Sequence, residues 1–148
     1  MDKFKIRICH HEDIGILTET IRKSFRDVAQ RFGLTRRNAP SHPSNCMLNW
    51  IRYDMERGVT YFIAENESRT AGCVACEQAS AKICYLERLA VLPEERNQGL
   101  GKALVERVLS NARELGAGTV SIGIIADHAE LKNWYRKIGF VEGETRTF

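Results

Sequence analysis

Hydrophobic positions along the chain change period several times, and each change marks an element. "FKIRIC" near the N-terminus alternates apolar with polar residues and predicts a strand. After Asp13, read as an N-cap, apolar residues fall at Ile14, Leu17, Ile21, Phe25 and Val28, spacings of three and four that give one helical face. "RFGLTRRNAPSHPSN" breaks that pattern with Gly33, Pro40 and Pro43. A second helix is expected from Ser44 or Asn45, carrying Met47, Trp50, Ile51 and Met55 inward and stopping at Gly58 in the C′ position. "TYFIAEN" and "AGCVACEQAS" read as two strands joined by the short "ESRT", and "KICYLERLAVL" as a third, closed by Pro93.

Helical spacing returns at Leu100, Leu104, Val108, Ala112 and Leu115, and ends at Gly116. "TVSIGIIA" is a nearly continuous apolar run, the pattern of a strand buried on both faces. "AELKNWYRKI" gives a short helix ending at Gly139, and "FVEGETRTF" a last strand. The predicted order is β-α-α-β-β-β-α-β-α-β: an α/β (α+β) fold with a mixed central sheet and helices on both faces.

Composition narrows the function classes. With 148 residues, 43% of them hydrophobic, the chain suits a single domain over 1–148. It holds no uncharged apolar run long enough for a membrane span, and "MDKFKIRICHHEDIG" lacks the apolar centre of a secretory signal, so a cytoplasmic location is expected. Five scattered cysteines, an odd number, suit apolar packing in a reducing compartment rather than a disulfide framework. Cys73 and Cys76 stand three apart in a strand and should point to opposite faces, which argues against a shared metal. A net charge of +3 is too small to indicate nucleic acid, and the basic run from Arg22 to Arg37 reads first as a solvated helix face.

The chemistry begins at "LAVLPEERNQGLGKALVERVL", where two glycines stand at a helix start. A helix N-terminus offers unsatisfied N–H groups and partial positive charge, and glycine lets an anion approach the backbone. A Walker loop is excluded, because Arg96 occupies the place of its first glycine and Ala103 follows Lys102 where Ser or Thr would reach magnesium. A dinucleotide fingerprint is excluded too, because Leu104 takes the third glycine position. The pattern left is R-x-x-G-x-G: Arg96, Asn97, Gln98, Gly99, Leu100, Gly101.

With the Val-x-Pro turn of Val91 and Pro93 before it, and "NWYRKIGF" (Tyr135, Gly139, Phe140) after it, the stretch from Lys82 to Phe140 resembles the GNAT superfamily of acyl-CoA-dependent N-acetyltransferases. The resemblance implies acetyl-CoA as co-substrate, with the loop amides from Arg96 to Lys102 around the pyrophosphate. It implies also that the backbone of Leu89, Ala90 and Val91 pairs with pantetheine where the fourth and fifth strands splay apart. Direct acetyl transfer to a primary amine of a small molecule or polypeptide follows, in a ternary complex without a metal. A non-catalytic acyl-CoA-binding or regulatory module is the alternative on the same fold.

Transfer from a thioester to an amine needs a base for the ammonium proton and an acid for the departing thiolate. Strand parity groups Glu87 with Tyr85, Leu89 and Val91 on a mainly apolar face, where desolvation would raise its pKa; relatives use a glutamate here as base. A carboxylate paired with a nearby cation is the other use of that position. Tyr135 is the candidate acid by resemblance, and simple packing beside Trp134 and Ile138 is its alternative. Many relatives carry asparagine where this chain has His128, a further candidate contact to the cofactor. The segment between the first two helices lines the acceptor pocket in the family, which singles out His42 as an acceptor contact. The family usually adds a seventh strand beside the sixth, and a chain ending at Phe148 implies either a shortened last strand or a partner copy that completes the edge as a homodimer.

Overall fold

Alternation and helical spacing together build a three-layer arrangement. The computed structural model describes residues 4–123 and 128–143. In chain order the elements are β1 (Lys5–Ile8), α1 (Ile14–Arg31), α2 (Leu48–Glu56), β2 (Thr60–Asn66), β3 (Arg69–Gln78), β4 (Ile83–Val91), α3 (Leu100–Glu114), β5 (Thr119–Ile122) and α4 (Ala129–Ile138). The strands form one sheet in the order β1-β2-β3-β4-β5, antiparallel up to β4 and parallel between β4 and β5.

Each face of the sheet carries its own core. On one side Leu17 and Ile21 of α1 and Ile51 of α2 pack with Ile63, Cys73, Ala75 and Ala90. On the other, Leu100, Leu104, Val105 and Val108 of α3 and Tyr135 of α4 cover Phe62, Val74, Cys76 and Leu86. Burial of each such aliphatic side chain contributes about 1.5–3 kcal/mol. Cys73 and Cys76 fall on opposite faces, and all five cysteines are free and buried.

The helical expectations hold closely, with three departures: the Asp13 carboxylate before α1 accepts from Arg7 and His10 N–H and not from the helix, Leu115 lies just past α3 and is exposed, and α2 starts later than expected. Before α2 the chain first makes a tight turn over Pro43–Asn45, and the helix starts only at Leu48. Met47, expected inward, is therefore outside the helix and exposed. Gly58 ends α2 with φ +93°, as the C′ position requires.

The strand expectations need three corrections. First, β5 is short and partly exposed rather than buried on both faces, being paired only with β4 among the described residues; Ile124 to Ala126 lie outside the described residues. Second, residues 140–143 form no strand, and the rest of the expected last strand lies outside the described residues. Third, β4 contains a bulge. Cys73 faces Ala90 and Ala75 faces Glu87, so Arg88 and Leu89 together stand opposite Val74. Arg88 takes φ +52° there, the left-handed region that side chains rarely enter.

Candidate functional site

The bulge changes which residues share a face. Leu89 and Val91 pack toward α3, whereas Glu87, opposite Ala75, lies on the α1/α2 side with Ala90. The expected grouping of Glu87 with Leu89 and Val91 is thus corrected, because an inserted residue reverses strand parity. Pairing of β4 with β5 ends at Leu86 and Ile122 among the described residues, one residue before Glu87, while β4 continues to Val91. Glu87 thus follows the last described β4–β5 pair, close to where the family resemblance expects the two strands to part.

Glu87 is half-buried and makes neither an ion pair nor a hydrogen bond with the described residues. Burial first, and then the nearby charge of Glu77, push its carboxyl up to about 7, against the opposing pull of Arg88 and Arg57. A carboxyl in this range can hold or release a proton near neutrality.

Beside it lies a polar cluster that the sequence pattern alone did not reveal. Asp54 of α2 is buried and accepts hydrogen bonds from Tyr61 Oη at 2.5 Å, Arg88 Nε at 3.3 Å and Arg57 Nη2 at 3.0 Å. The Arg88 guanidinium also lies over the Trp50 ring, 5.4 Å from its centroid. Two signals for the cluster were present in the sequence. Asp54 sits on the inward face of α2, four residues after Trp50, and the buried apolar phase of β4 slips from Cys84 and Leu86 to Leu89 and Val91.

At the far end of β4 the chain enters the glycine loop. Asn97 (φ +63°) and Gly99 (φ +81°) are both left-handed, which turns successive amides toward one side and forms the kind of concavity that binds anions. The backbone bond from Ala103 N–H to Gly99 O at 3.1 Å closes the first turn of α3. The amides of Leu100, Gly101 and Lys102 have no backbone acceptor among the described residues. Asn97, Gln98, Gly99 and Lys102 are exposed, and a Cβ at Gly99 would meet nothing within 4 Å. Gly101 has a packing role: a Cβ there would come within 3.1 Å of the Trp134 ring.

Arg96 is turned away from this concavity. Its guanidinium donates to Ser24 O at 2.7 Å, Val91 O at 3.1 Å and the Asp27 carboxylate at 2.7 Å, so it ties the loop to α1 and β4. Its side chain is thus spent on fixing the loop's shape.

The other expected residues separate into two places. Tyr135 is buried on the α3 side, edge-on to Trp134 and Phe140 at ring distances of 4.9 and 5.5 Å, and burial pushes its phenol up, so it stays protonated at neutral pH. Tyr135 and Glu87 thus lie on opposite faces of the sheet. His128 caps α4: its Nδ1 accepts from Leu131 N–H at 3.3 Å, which leaves the proton on Nε2, and its ring packs 5.5 Å from Phe32. His42 is half-buried, with Nδ1 bound to Ser44 Oγ at 2.8 Å and the ring edge-on to Phe25. Burial lowers its pKa, which favours the neutral ring.

The segment 33–45 lines a cleft of about 400 Å³ through Gly33, Leu34, Thr35, Ser44 and Asn45, with Arg22 and Arg26 from α1. A larger opening of about 710 Å³ runs between α1 and α2. Neither is lined by Glu87 or by the 96–102 loop. Among the described residues no His, Cys, Asp and Glu group has the arrangement of a metal site, and no helix is long and apolar enough to cross a membrane.

Comparison with known proteins bears on the family and the fold. The model of the Acetyltransferase (GNAT) family matches residues 21–140. An uncharacterized N-acetyltransferase of Chlorobaculum tepidum is 28% identical over 88 residues, 60% of this chain and 54% of that protein. An amino-acid acetyltransferase of Pseudomonas putida is 30% identical over 125 residues, 82% of this chain and 27% of that protein. The chain thus spans about half the length of the first relative and about a quarter of the second. Among solved structures, the Thermoplasma acidophilum PaiA N-acetyltransferase in complex with coenzyme A shares the fold with a TM-score of 0.78, at 19% identity over 99% of this chain and 94% of that one. A Trypanosoma brucei acetyltransferase gives a TM-score of 0.67 at 19% identity, over 98% and 97% of the two chains.

Proposed function

Because the chain belongs to the GNAT family, we propose that it is a single-domain N-acetyltransferase that moves acetyl from acetyl-CoA directly to a primary amine of a small molecule or polypeptide. The observation that carries this is the start of α3, where the amides of Leu100, Gly101 and Lys102 have no backbone acceptor among the described residues, next to the end of β4, whose residues 87–91 have no β5 partner among the described residues. Diphosphate suits the first, because unpaired N–H groups and the helix dipole both favour an anion. An extended pantetheine arm suits the second, adding to the edge at Leu89, Ala90 and Val91 as a strand would. Bound there, acetyl-CoA supplies the activated acyl group.

The protein's own part is orientation and proton handling. Holding amine and thioester in line lowers the barrier by up to about 7–11 kcal/mol in favourable cases. Glu87, poised near neutrality at the parting of β4 and β5, takes the proton from the arriving ammonium. Tyr135, kept protonated by its burial, donates a hydrogen bond to the departing thiolate from the other face. His128 reaches the cofactor through its Nε2–H alone, since Nδ1 is held by the helix. The acceptor enters past the 33–45 segment, whose Ser44 lines the cleft and is held by His42. Five unpaired, buried cysteines suit a cytoplasmic setting, and the outer edge of β5, unpaired among the described residues, would suit a second copy.

The test is release of free thiol from acetyl-CoA across a panel of amines, polyamines, amino acids and peptides. Acceptor-dependent release that loses its acidic limb in Glu87→Gln supports the assignment. Tight coenzyme A binding with no acceptor-dependent release would make the chain a binding module instead.

A further inference from the structure

Glu87 is one member of a group of ionisable side chains that share the α1/α2 side of the sheet. Asp54 and Arg57 come from α2 and its C-terminal end, Tyr61 from β2, Glu77 from β3, and Tyr85 and Arg88 from β4 itself. From α1, also packed against β4, Arg22 approaches Cys46, and its Nε donates to the Cys46 carbonyl. The charges do not match evenly. Arg57 and Arg88 both bind Asp54, and Arg57 also pairs with Glu77 through its other terminal nitrogen. Two guanidinium groups thus offset two carboxylates, and Glu87 is the third.

The register makes Glu77 and Glu87 diagonal neighbours. Ala75 faces Glu87 and Glu77 faces Tyr85, so the two glutamates lie one step apart on the same face of adjacent strands, within mutual reach. Like charges so placed cannot both ionise freely, and the one with a cation bound to it ionises first. Glu77 has Arg57 on it; Glu87 has no such partner among the described residues.

We propose that Glu77 and Arg57 are positioning residues for the proton on Glu87: Glu77 keeps that proton in place, and Arg57 limits how firmly it does so. The mechanistic meaning rests on Glu87 acting as the base, as proposed above. The upward displacement of the Glu87 carboxyl, with burial and Glu77 raising it and Arg88 and Arg57 opposing, has the same sign. Because Arg57 follows the last residue of α2 directly, the end of that helix sets the working pH of a group on β4.

Two neutral replacements should act in opposite directions. In Glu77→Gln the repulsion is gone and Arg57 is released, so the acidic limb of kcat/KM should move down by about one pH unit. In Arg57→Gln the charge of Glu77 is unopposed, so the limb should move up by a similar amount, and Arg57→Lys should restore it. Loss of packing alone would lower kcat without displacing the limb in opposite senses. In parallel, the side-chain carboxyl of Glu87 is titrated directly by carbon-13 NMR, its resonance identified by its absence in Glu87→Gln. Opposite displacements of that titration support the proposal; no displacement in Glu77→Gln, or displacement of both variants in one direction, overturns it. Should Arg57→Gln fail to fold, the Glu77→Gln titration alone decides. If the NMR midpoints move as expected while Glu87→Gln keeps the acidic limb, the charge coupling stands and the base assignment falls.

Discussion

Glu87 shows how one residue's place can oppose stability while serving chemistry. Its folded-state pKa of about 7 lies above its ordinary value of 4.5. The folded state therefore binds that proton more tightly than the unfolded chain does, and the resulting stabilisation is lost as pH rises through about 7. Glu87→Gln should accordingly be more stable than the parent at pH 8, relative to pH 5, by on the order of 1–3 kcal/mol. Urea unfolding at the two pH values measures this, and an unchanged difference would show that the carboxyl titrates as it does in the open chain. Tyr135→Phe should lower kcat by about 10²-fold with little effect on coenzyme A affinity; steady-state kinetics with the best acceptor of the panel reads both. Glu87 and Tyr135 stand out as candidates from the sequence, but the surroundings of Glu87 do not follow from it. Strand alternation groups Glu87 with Leu89 and Val91; the slip of the apolar phase along β4 hints at the reversal between them, and the left-handed Arg88 locates it.

Among the elements, the junction of β4 with α3 shows most clearly how local sequence becomes a site. Gly99 takes φ +81° in open space, so a branched residue there would both strain the turn and cover the amides. Gly99→Val should weaken coenzyme A binding about tenfold or more, measured by calorimetry. Gly101→Ala should act differently, because its Cβ meets the Trp134 ring at 3.1 Å and pushes α4 from α3. That variant should lose about 1 kcal/mol of stability in thermal or denaturant unfolding. Arg96 belongs to this scale too, since it joins loop, α1 and β4. Its presence in the motif was legible, but its partners Ser24 and Asp27 lie about seventy residues away and no local pattern points to them. The helices followed from spacing alone, apart from the start of α2. There the turn at Pro43–Asn45 takes up the residues that periodicity assigned to a helix.

For the whole molecule, one sheet divides two hydrophobic cores and carries the candidate acid and base on opposite sides. Ile51→Ala on the α2 side and Leu104→Ala on the α3 side should each cost about 2–5 kcal/mol, since both side chains are fully buried. If the shared sheet couples the two cores, both variants should still unfold in one transition by circular dichroism and fluorescence alike. The layer order was legible from the sequence because buried strands and amphipathic helices alternate in a pattern few architectures satisfy. The pairing of β4 with β5 leaves no local trace in the sequence, as is usual for strand pairing at long range, and the parting of the two strands is expected only through family resemblance. The most direct test is a coenzyme A titration of the nitrogen-15-labelled chain followed by backbone amide resonances. The largest changes are expected at residues 97–102 and along 87–91; coenzyme A that binds yet leaves these amides unmoved, shifting instead those around the α1–α2 cleft, would contradict the account.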